Sequence, residues 1–369
     1  MMEEIPAFFL ETETSYRSWS RHGKEQHKRH LKKPNRKVMK LKKESNTVFV
    51  HGTGKRKTPL QRAVEQLQGY ISRLKDYETK LHICGDRNSY AKTDHDATFM
   101  RMKEDAMLNG QLKPGYNIQF AVDAEYVVWT GESPWPTDVK TLIPFLEDLR
   151  EHLGSNYRKI VADAGYESEE NYEYLLKNGM ISFIKPNNYE ISKKHSFQNA
   201  IWRRENMAYD AATDSYLCAN GKQVKCEGTK KRKSRSGYVI ENTVYACHDC
   251  TGCPYKKDCI RGNNSKQPLE QREKHFEVSK RLLELRAEDK ERITSEEGKL
   301  LRMNRSIQAE GAFADVKETQ LFRRFLGTGH LNALTETVIC VLAHNFNKLH
   351  HKIQNGTQGR YLFPLQKLA

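Results

Sequence analysis

IVADAGYE, residues 160 to 167, runs an apolar pair into Asp163 and then turns at once through Gly165. A strand that stops on a carboxylate is one way of holding an acid at the carboxyl edge of an α/β sheet, where such sheets place their sites. The ordinary alternative is an Asp that closes the loop before a helix, because Ser168, Glu169 and Glu170 have the composition of a first helical turn. The flanking sequence supports the sheet in either case. GYNIQFAVDAEYVVW (115 to 129) is rich in β-formers, with a polar break near Asp123 and Glu125, and reads as a hairpin. Pro134 and Pro136 end it. Thr137 or Asp138 then caps a helix through about residue 152, with Leu142, Phe145, Leu146 and Leu149 facing inward. A second helix (168 to 178) and a strand, MISFIK (180 to 185), follow IVAD. Hairpin, helix, strand, helix, strand predicts an α/β fold with a mixed sheet flanked by helices.

Outward from this core the composition changes. The 369 residues carry 62 Lys and Arg against 47 Asp and Glu, a net charge of +15, which suits a polyanionic partner such as DNA. No run of ~18 apolar residues offers a membrane span, and the acidic start MMEEIPAFFLETET has the wrong charge for a secretory signal. Residues 17 to 43 hold twelve Lys or Arg and one acid, Glu25, and read as a flexible basic arm. Pro59 opens an amphipathic helix to about residue 82, with Leu60, Val64, Leu67, Ile71, Leu74 and Leu81 at three-four spacing. Of eight cysteines, six fall between 218 and 259, a clustering that favours metal binding in a reducing compartment. CHDCTGCPYKKDC (247 to 259) contains two overlapping Cys-x2-Cys steps, the spacing of a tetrahedral zinc thiolate site. The basic run KKRKSR (230 to 235) lies beside them, and a charged helical segment is expected over about 270 to 290.

RMNRSIQAEGAFADVK (302 to 317) is the second informative stretch. Glu310 and Lys317 are two helical turns apart, and Arg305 precedes Glu310 by five. By itself this is a surface salt-bridge ladder. Beside Asp163 it offers a second carboxylate for divalent metal ions, with cations to hold phosphates. Helical spacing continues through Ile307, Phe313, Val316, Leu334, Val338, Val341, Leu342 and Phe346, within a helical region expected over 304 to 350.

ADAGYES followed by a helix, then RSIQAEGAFADVK, with RNSYAKTDHDATFMRMKED and GQLKPGYN upstream, resembles the DDE transposases of bacterial insertion sequences, in a sub-group with a Cys-bearing insertion. The resemblance runs over about residues 46 to 350. It implies an RNase H-like core that cuts and joins double-stranded DNA, at insertion-sequence ends and a target. It also implies Mg²⁺ or Mn²⁺ as catalytic ions, self-association on DNA, and a cytoplasmic, nucleoid-associated location. Asp163 and Glu310 match the second and third catalytic acids, and Arg305 and Lys317 the basic companions. The companion tyrosine has no match, Leu301 and Arg302 standing in that region. Among the cysteines the family pattern favours Cys218, Cys250, Cys253 and Cys259 as structural Zn²⁺ ligands, with Cys247 and Cys226 as rivals. Lys230, Lys231, Arg232 and Lys233 become DNA contacts.

The family's first acid should close a strand ahead of the 115 to 129 hairpin. VFVHGTG (48 to 54) puts His51 at that place, Glu11 in FFLETETS lacks the expected Asp-Gly-Thr, and Asp94 and Asp96 lie in a polar loop. The expectation is a chain that has lost the beginning of its domain. Two rival readings follow: a non-catalytic zinc DNA-binding remnant, or an RNase H-like nuclease that does not join strands. The expected organisation is an arm (1–58), a helical segment (59–112), the first part of the core (113–185), a cysteine-bearing insertion (186–299), C-terminal core helices (300–350) and a tail (351–369).

Overall fold

The computed structural model describes residues 36, 39–40, 42–44, 48–102, 107–234, 236–262 and 267–360. Most of the expected basic arm, and Glu11, lie outside them. The chain divides into two compact units, Met1–Tyr90 and Ala91–Ala369. In the first, helix α1 (Pro59–Cys84) starts as its sequence predicts: Thr58 caps it by accepting from the Gln61 amide, and Pro59 sits where no N–H is needed. Its Val64, Leu67 and Leu74 cluster with Phe49, Leu60 and Ile71. Buried Gln61 also accepts from the Val50 N–H (3.0 Å) and donates to its carbonyl (2.6 Å), fixing the lead-in chain.

The second unit is a mixed α/β structure. Strands β1 (Thr98–Arg101) and β2 (Leu112–Gly115) form an antiparallel pair, as do β3 (Asn117–Asp123) and β4 (Tyr126–Ser133). Helix α2 (Leu142–Leu153) then leads to β5 (Lys159–Ala162), α3 (Glu169–Lys177) and β6 (Ile181–Ile184), with β5 and β6 parallel. Leu142, Leu146, Tyr172, Leu175, Met180, Ile184 and Leu285 form the core of this β-α-β unit. Next comes a five-stranded antiparallel sheet ordered β11-β10-β9-β8-β7, made of β7 (Ala208–Asp210), β8 (Ser215–Leu217), β9 (Gln223–Lys233), β10 (Val239–Cys247) and β11 (Lys274–Val278). Its core holds Tyr216, Val224, Tyr245, Cys247, Cys250 and Val278. Helices α4 (Lys280–Thr294), α5 (Glu296–Arg305) and α6 (His330–Gln354) close the chain.

Three local expectations change. The segment expected as one charged helix from about 270 opens as β11, because KHFEV alternates exposed and less exposed residues with period two; the helix starts only at Lys280, capped by Ser279. The helix expected to be capped by Thr137 or Asp138 begins at Leu142, and Asp138 sits in a separate 3₁₀ turn, Asp138–Lys140. The last helical region is broken over residues 320–329, and α6 buries Ala333, Thr337, Val341 and His344. Val338, Leu342 and Phe346, which share the apolar helical spacing, are exposed. Asn345 sets that rotation by clamping both backbone groups of Val127 on β4 at 2.9 Å.

One charged residue within α4 decides where the helix goes. Asp289 is fully buried and accepts from Ser182 Oγ and the Ile184 N–H of β6, both at 2.6 Å, and from Arg292 at 3.2 Å. The sequence between β6 and α4 therefore leaves the β-α-β unit and returns to it. No helix among the described residues is long and apolar enough to cross a membrane.

Candidate active site and cysteine pocket

Asp163 follows β5 directly and opens the 3₁₀ turn Ala164–Tyr166, with Oδ1 accepting from the Ala164 N–H at 2.7 Å. The turn is braced on several sides. Buried Asn171 donates to the carbonyls of Tyr166 (2.7 Å) and Val139 (3.0 Å), joining it to the turn that carries Asp138. Arg286 of α4 meets the buried carboxylate of Glu167 at 2.6 Å, and Glu167 also accepts from the Asn187 N–H at 2.8 Å. Asp138 is itself oriented by Asn117 Nδ2 at 2.8 Å. Its other oxygen lies so close to Gly165 that a Cβ there would stand 2.6 Å from it, so the approach requires glycine. The sequence offers Asp138 only as a helix cap and gives Asn117 no role, yet both are neighbours of the site. A hydrogen bond across 21 residues leaves no local pattern.

Glu310 comes from a different element. Beyond α5 the helix widens into a π turn, Ser306–Glu310, and after Gly311–Ala314 into a second, Asp315–Thr319. A π turn closes on the fifth residue and not the fourth, so residues five apart come round to one face. Arg305 and Glu310 are such a pair. The segment is held down by Ala312, packed with Val127 and Val341, and by Phe313, stacked on Phe120 of β3 at 4.1 Å. Asp315 bonds the buried His344 ring of α6 at 2.7 Å. Burial would raise the Asp315 carboxyl, but bonds from His344, Thr319 and Gln320 outweigh it and hold it low.

Arg305 joins the two acids: one terminal nitrogen stands 3.7 Å from Asp163 Oδ2, the other 3.8 Å from Glu310 Oε1. A guanidinium is one rigid fork, so the carboxylates lie within about 10 Å of each other. Both are open to solvent, with side chains 56% and 65% exposed, and Arg305 is 27% exposed. The pKa of the nearby Tyr166 phenol is raised well above the ordinary tyrosine range, first by burial and then by Asp138 and Asp163, with Arg305 opposing. Three charged groups, Asp138, Asp163 and Arg305, therefore act on one ring. Lys317 is exposed and makes no ion pair within 4 Å among the described residues. Asp94 and Asp96 are spent on α6: Asp94 accepts from the Tyr116 hydroxyl (2.7 Å) and the Gly329 N–H (3.3 Å), and Asp96 from the His330 N–H (3.2 Å). His51 belongs to the first unit.

The cysteines meet in the five-stranded sheet. Cys218, Cys247, Cys250, Cys253 and Cys259 line a pocket of about 20 Å³ together with Lys274. Cys218 starts a tight turn in which its carbonyl accepts from the Gly221 N–H and its own N–H donates to the Lys222 carbonyl, both at 2.9 Å. Burial raises the Cys247 thiol to about 11. Burial also raises Cys259, and so do Cys218, Cys250 and Cys253, while Lys274 lowers it. Cys226 is exposed. The thiols share a pocket without converging: among the described residues, no group of three or more His, Cys, Asp or Glu side chains stands in metal-binding geometry.

The basic run lies along β9, and every described residue in 230–233 is exposed. Lys230 pairs with Glu277 (3.0 Å) and Lys231 with Glu241 (3.7 Å), while Arg232 and Lys233 form no ion pair within 4 Å among the described residues. The tip of this hairpin is tied to the first turn of α3, through Ser236 to Glu170 (2.7 Å) and Tyr238 to Glu169 (3.0 Å).

Residues 217–350 match a family model described as transposase DDE domain. The match spans the cysteine pocket, Arg305 and Glu310, and leaves Asp163 outside it. No curated protein and no solved structure matches the chain.

Proposed function

This chain carries the DDE domain of a transposase family over residues 217–350, and from that premise we propose that Asp163 and Glu310 form part of a metal-dependent centre for cleaving and joining double-stranded DNA on an RNase H-like core. The observation that carries the reading is the shared guanidinium: a strand end and a π turn 147 residues apart present their carboxylates to one cation. DDE domains generally work with divalent metals. Mg²⁺ or Mn²⁺ ions about 4 Å apart, each about 2.1 Å from its oxygens, need carboxylates spread over about 8 Å, a span the pair can meet. When bound, such ions activate the attacking oxygen and stabilise the leaving one.

The chain's own residues have distinct tasks. The braced 3₁₀ turn keeps Asp163 in place, and the stacked, π-turned segment brings Glu310 to the same opening. Arg305 supplies a planar donor fork suited to a phosphate's oxygens. Lys317, Arg232 and Lys233, which form no ion pair within 4 Å among the described residues, offer cations for the DNA backbone, and Lys230 and Lys231 join them where a phosphate displaces their glutamates. Self-association on DNA belongs to the same proposal.

The test is nicking of supercoiled plasmid in Mn²⁺. Asp163→Asn and Glu310→Gln should each lower the rate at least about a hundredfold, the scale of losing several kcal/mol of charge stabilisation. Equal nicking by wild type and both variants would end the proposal. A chain that binds duplex DNA and never nicks it would favour the reading as a zinc-bearing binding remnant.

The cysteine pocket supports a structural Zn²⁺ as a second part of the proposal. Its volume slightly exceeds the ~10 to 15 Å³ that one small guest requires, and Cys218, Cys250, Cys253 and Cys259 all line it, four thiols that would have to draw together to close a tetrahedral site. Purified protein should contain one zinc per chain, and Cys250→Ser should lose it.

A further inference from the structure

Arg305 is placed unlike an ordinary salt-bridge partner. It reaches two carboxylates, but at 3.7 and 3.8 Å it stands beyond the 2.7 to 2.9 Å of a charge-assisted hydrogen bond to either. Its side chain is less exposed than that of either acid it serves. The π turn aligns it with Glu310, and the braced turn after β5 fixes Asp163 on its other side. The Tyr166 phenol responds to this guanidinium as well as to Asp138 and Asp163. The result is a single positive charge lying loosely between two negative ones, where any incoming cation would need to go.

We propose that Arg305 is a built-in counter-ion of the Asp163–Glu310 pair, which competes with divalent metal in the DNA-free protein and is released to phosphate when metal enters. The inference rests on the reading of Asp163 and Glu310 as metal ligands. A guanidinium between two carboxylates lowers their repulsion and keeps the site assembled. The same charge repels a dication, so the metal-bound state and the Arg-bound state exclude each other. Release turns the donor fork outward to the next available anion. Metal and DNA then favour each other's binding through one side chain, and the coupling is reciprocal. Arg305 acts here as a positioning residue.

The experiment is titration of the full chain with Mn²⁺ alone, following free Mn²⁺ by electron paramagnetic resonance, for wild type, Arg305→Gln and Arg305→Lys. Circular dichroism establishes that each variant is folded. Removing one positive charge about 4 to 6 Å from a dication should tighten the first Mn²⁺ about tenfold in Arg305→Gln at low salt, and the gain should shrink as salt is added. Arg305→Lys, which keeps the charge, should return affinity toward wild type. Added 20-base-pair duplex should tighten Mn²⁺ binding in wild type and much less in Arg305→Gln. Affinity in Arg305→Gln that equals wild type or falls below it would overturn the proposal, since Arg305 would then be indifferent to metal or needed to hold its ligands. Absence of Mn²⁺ binding in wild type and variants alike would overturn the metal-site reading itself, and this inference with it. Those two failures are distinguishable.

Discussion

The turn at Asp163 and the five-stranded sheet hold their acids in opposite ways. At the turn, Asp163 and Glu310 are more than half exposed and share one arginine at ion-pair distance. In the sheet, Asp214 accepts from the Tyr209 and Tyr245 hydroxyls at 2.7 Å each and from Lys280 at 2.8 Å. Tyr245 is fully buried, and Asp214 sits at positive φ. The first arrangement leaves its oxygens available and gains little stability from exposed charges. The second satisfies every oxygen with donors and closes a strand connection. A site that must accept a cation cannot be built the second way, and a frame that must not move cannot be built the first way.

The sharpest way to break this contrast is to exchange the outcomes. Asp163→Asn should abolish most nicking while leaving thermal stability within about 0.5 kcal/mol, as for an exposed substitution. Asp289→Ala should do the reverse. It strands Ser182 and the Ile184 N–H in the core and should cost about 3 kcal/mol in urea unfolding. A smaller effect is expected at Gly165, where alanine would drive a methyl to 2.6 Å from the Asp138 carboxylate and shift the turn. Nicking should fall about tenfold for a displacement of that kind, with stability changed by about 1 kcal/mol, and a variant matching wild type in both would remove Asp138 from the account. Smaller still, Tyr245→Phe should cost about 1 kcal/mol in urea unfolding, because Asp214 keeps its other two donors.

Asp214 also gives the sheet an acid limit. Bonds from Lys280, Tyr245 and Tyr209 hold its carboxyl well below the usual range. A depressed folded-state value means that the stabilisation is present above the unfolded value of about 3.9 and is lost as pH falls below it. Urea midpoints measured from pH 6 to pH 3 should therefore decline less in Asp214→Asn than in wild type. Parallel curves would show that the network is indifferent to the charge.

Much of the frame was legible because it follows local rules. Pro59 with Thr58, the IVAD strand, the α3 helix opening at Ser168 and the hairpin after Tyr116 all announce themselves through capping residues or periodicity. Asp163, Arg305 and Glu310 could be named from motif order, and the structure brings these three together. The remainder depended on distant partners or on geometry that sequence spacing misstates. Five residues on an α-helix face apart, and only the π turn aligns Arg305 with Glu310. Asp289 looks like one more surface charge on a polar helix, and its burial depends on Ser182, more than a hundred residues away. Asp138 reads as a helix cap because its partner, Asn117, lies on another element. Val338, Leu342 and Phe346 fit an inward stripe, yet the clamp of Asn345 on Val127 turns them outward. The five cysteines pointed to one pocket, but spacing alone does not say whether thiols that share a pocket also converge.

The most direct test of the central claim is a crystal soaked in Mn²⁺, with anomalous differences measured at the manganese edge. The account predicts a peak about 2.2 Å from a carboxylate oxygen of Asp163 or Glu310, with the Arg305 fork moved away from both. Manganese bound elsewhere, with Arg305 still between the two carboxylates, would contradict it.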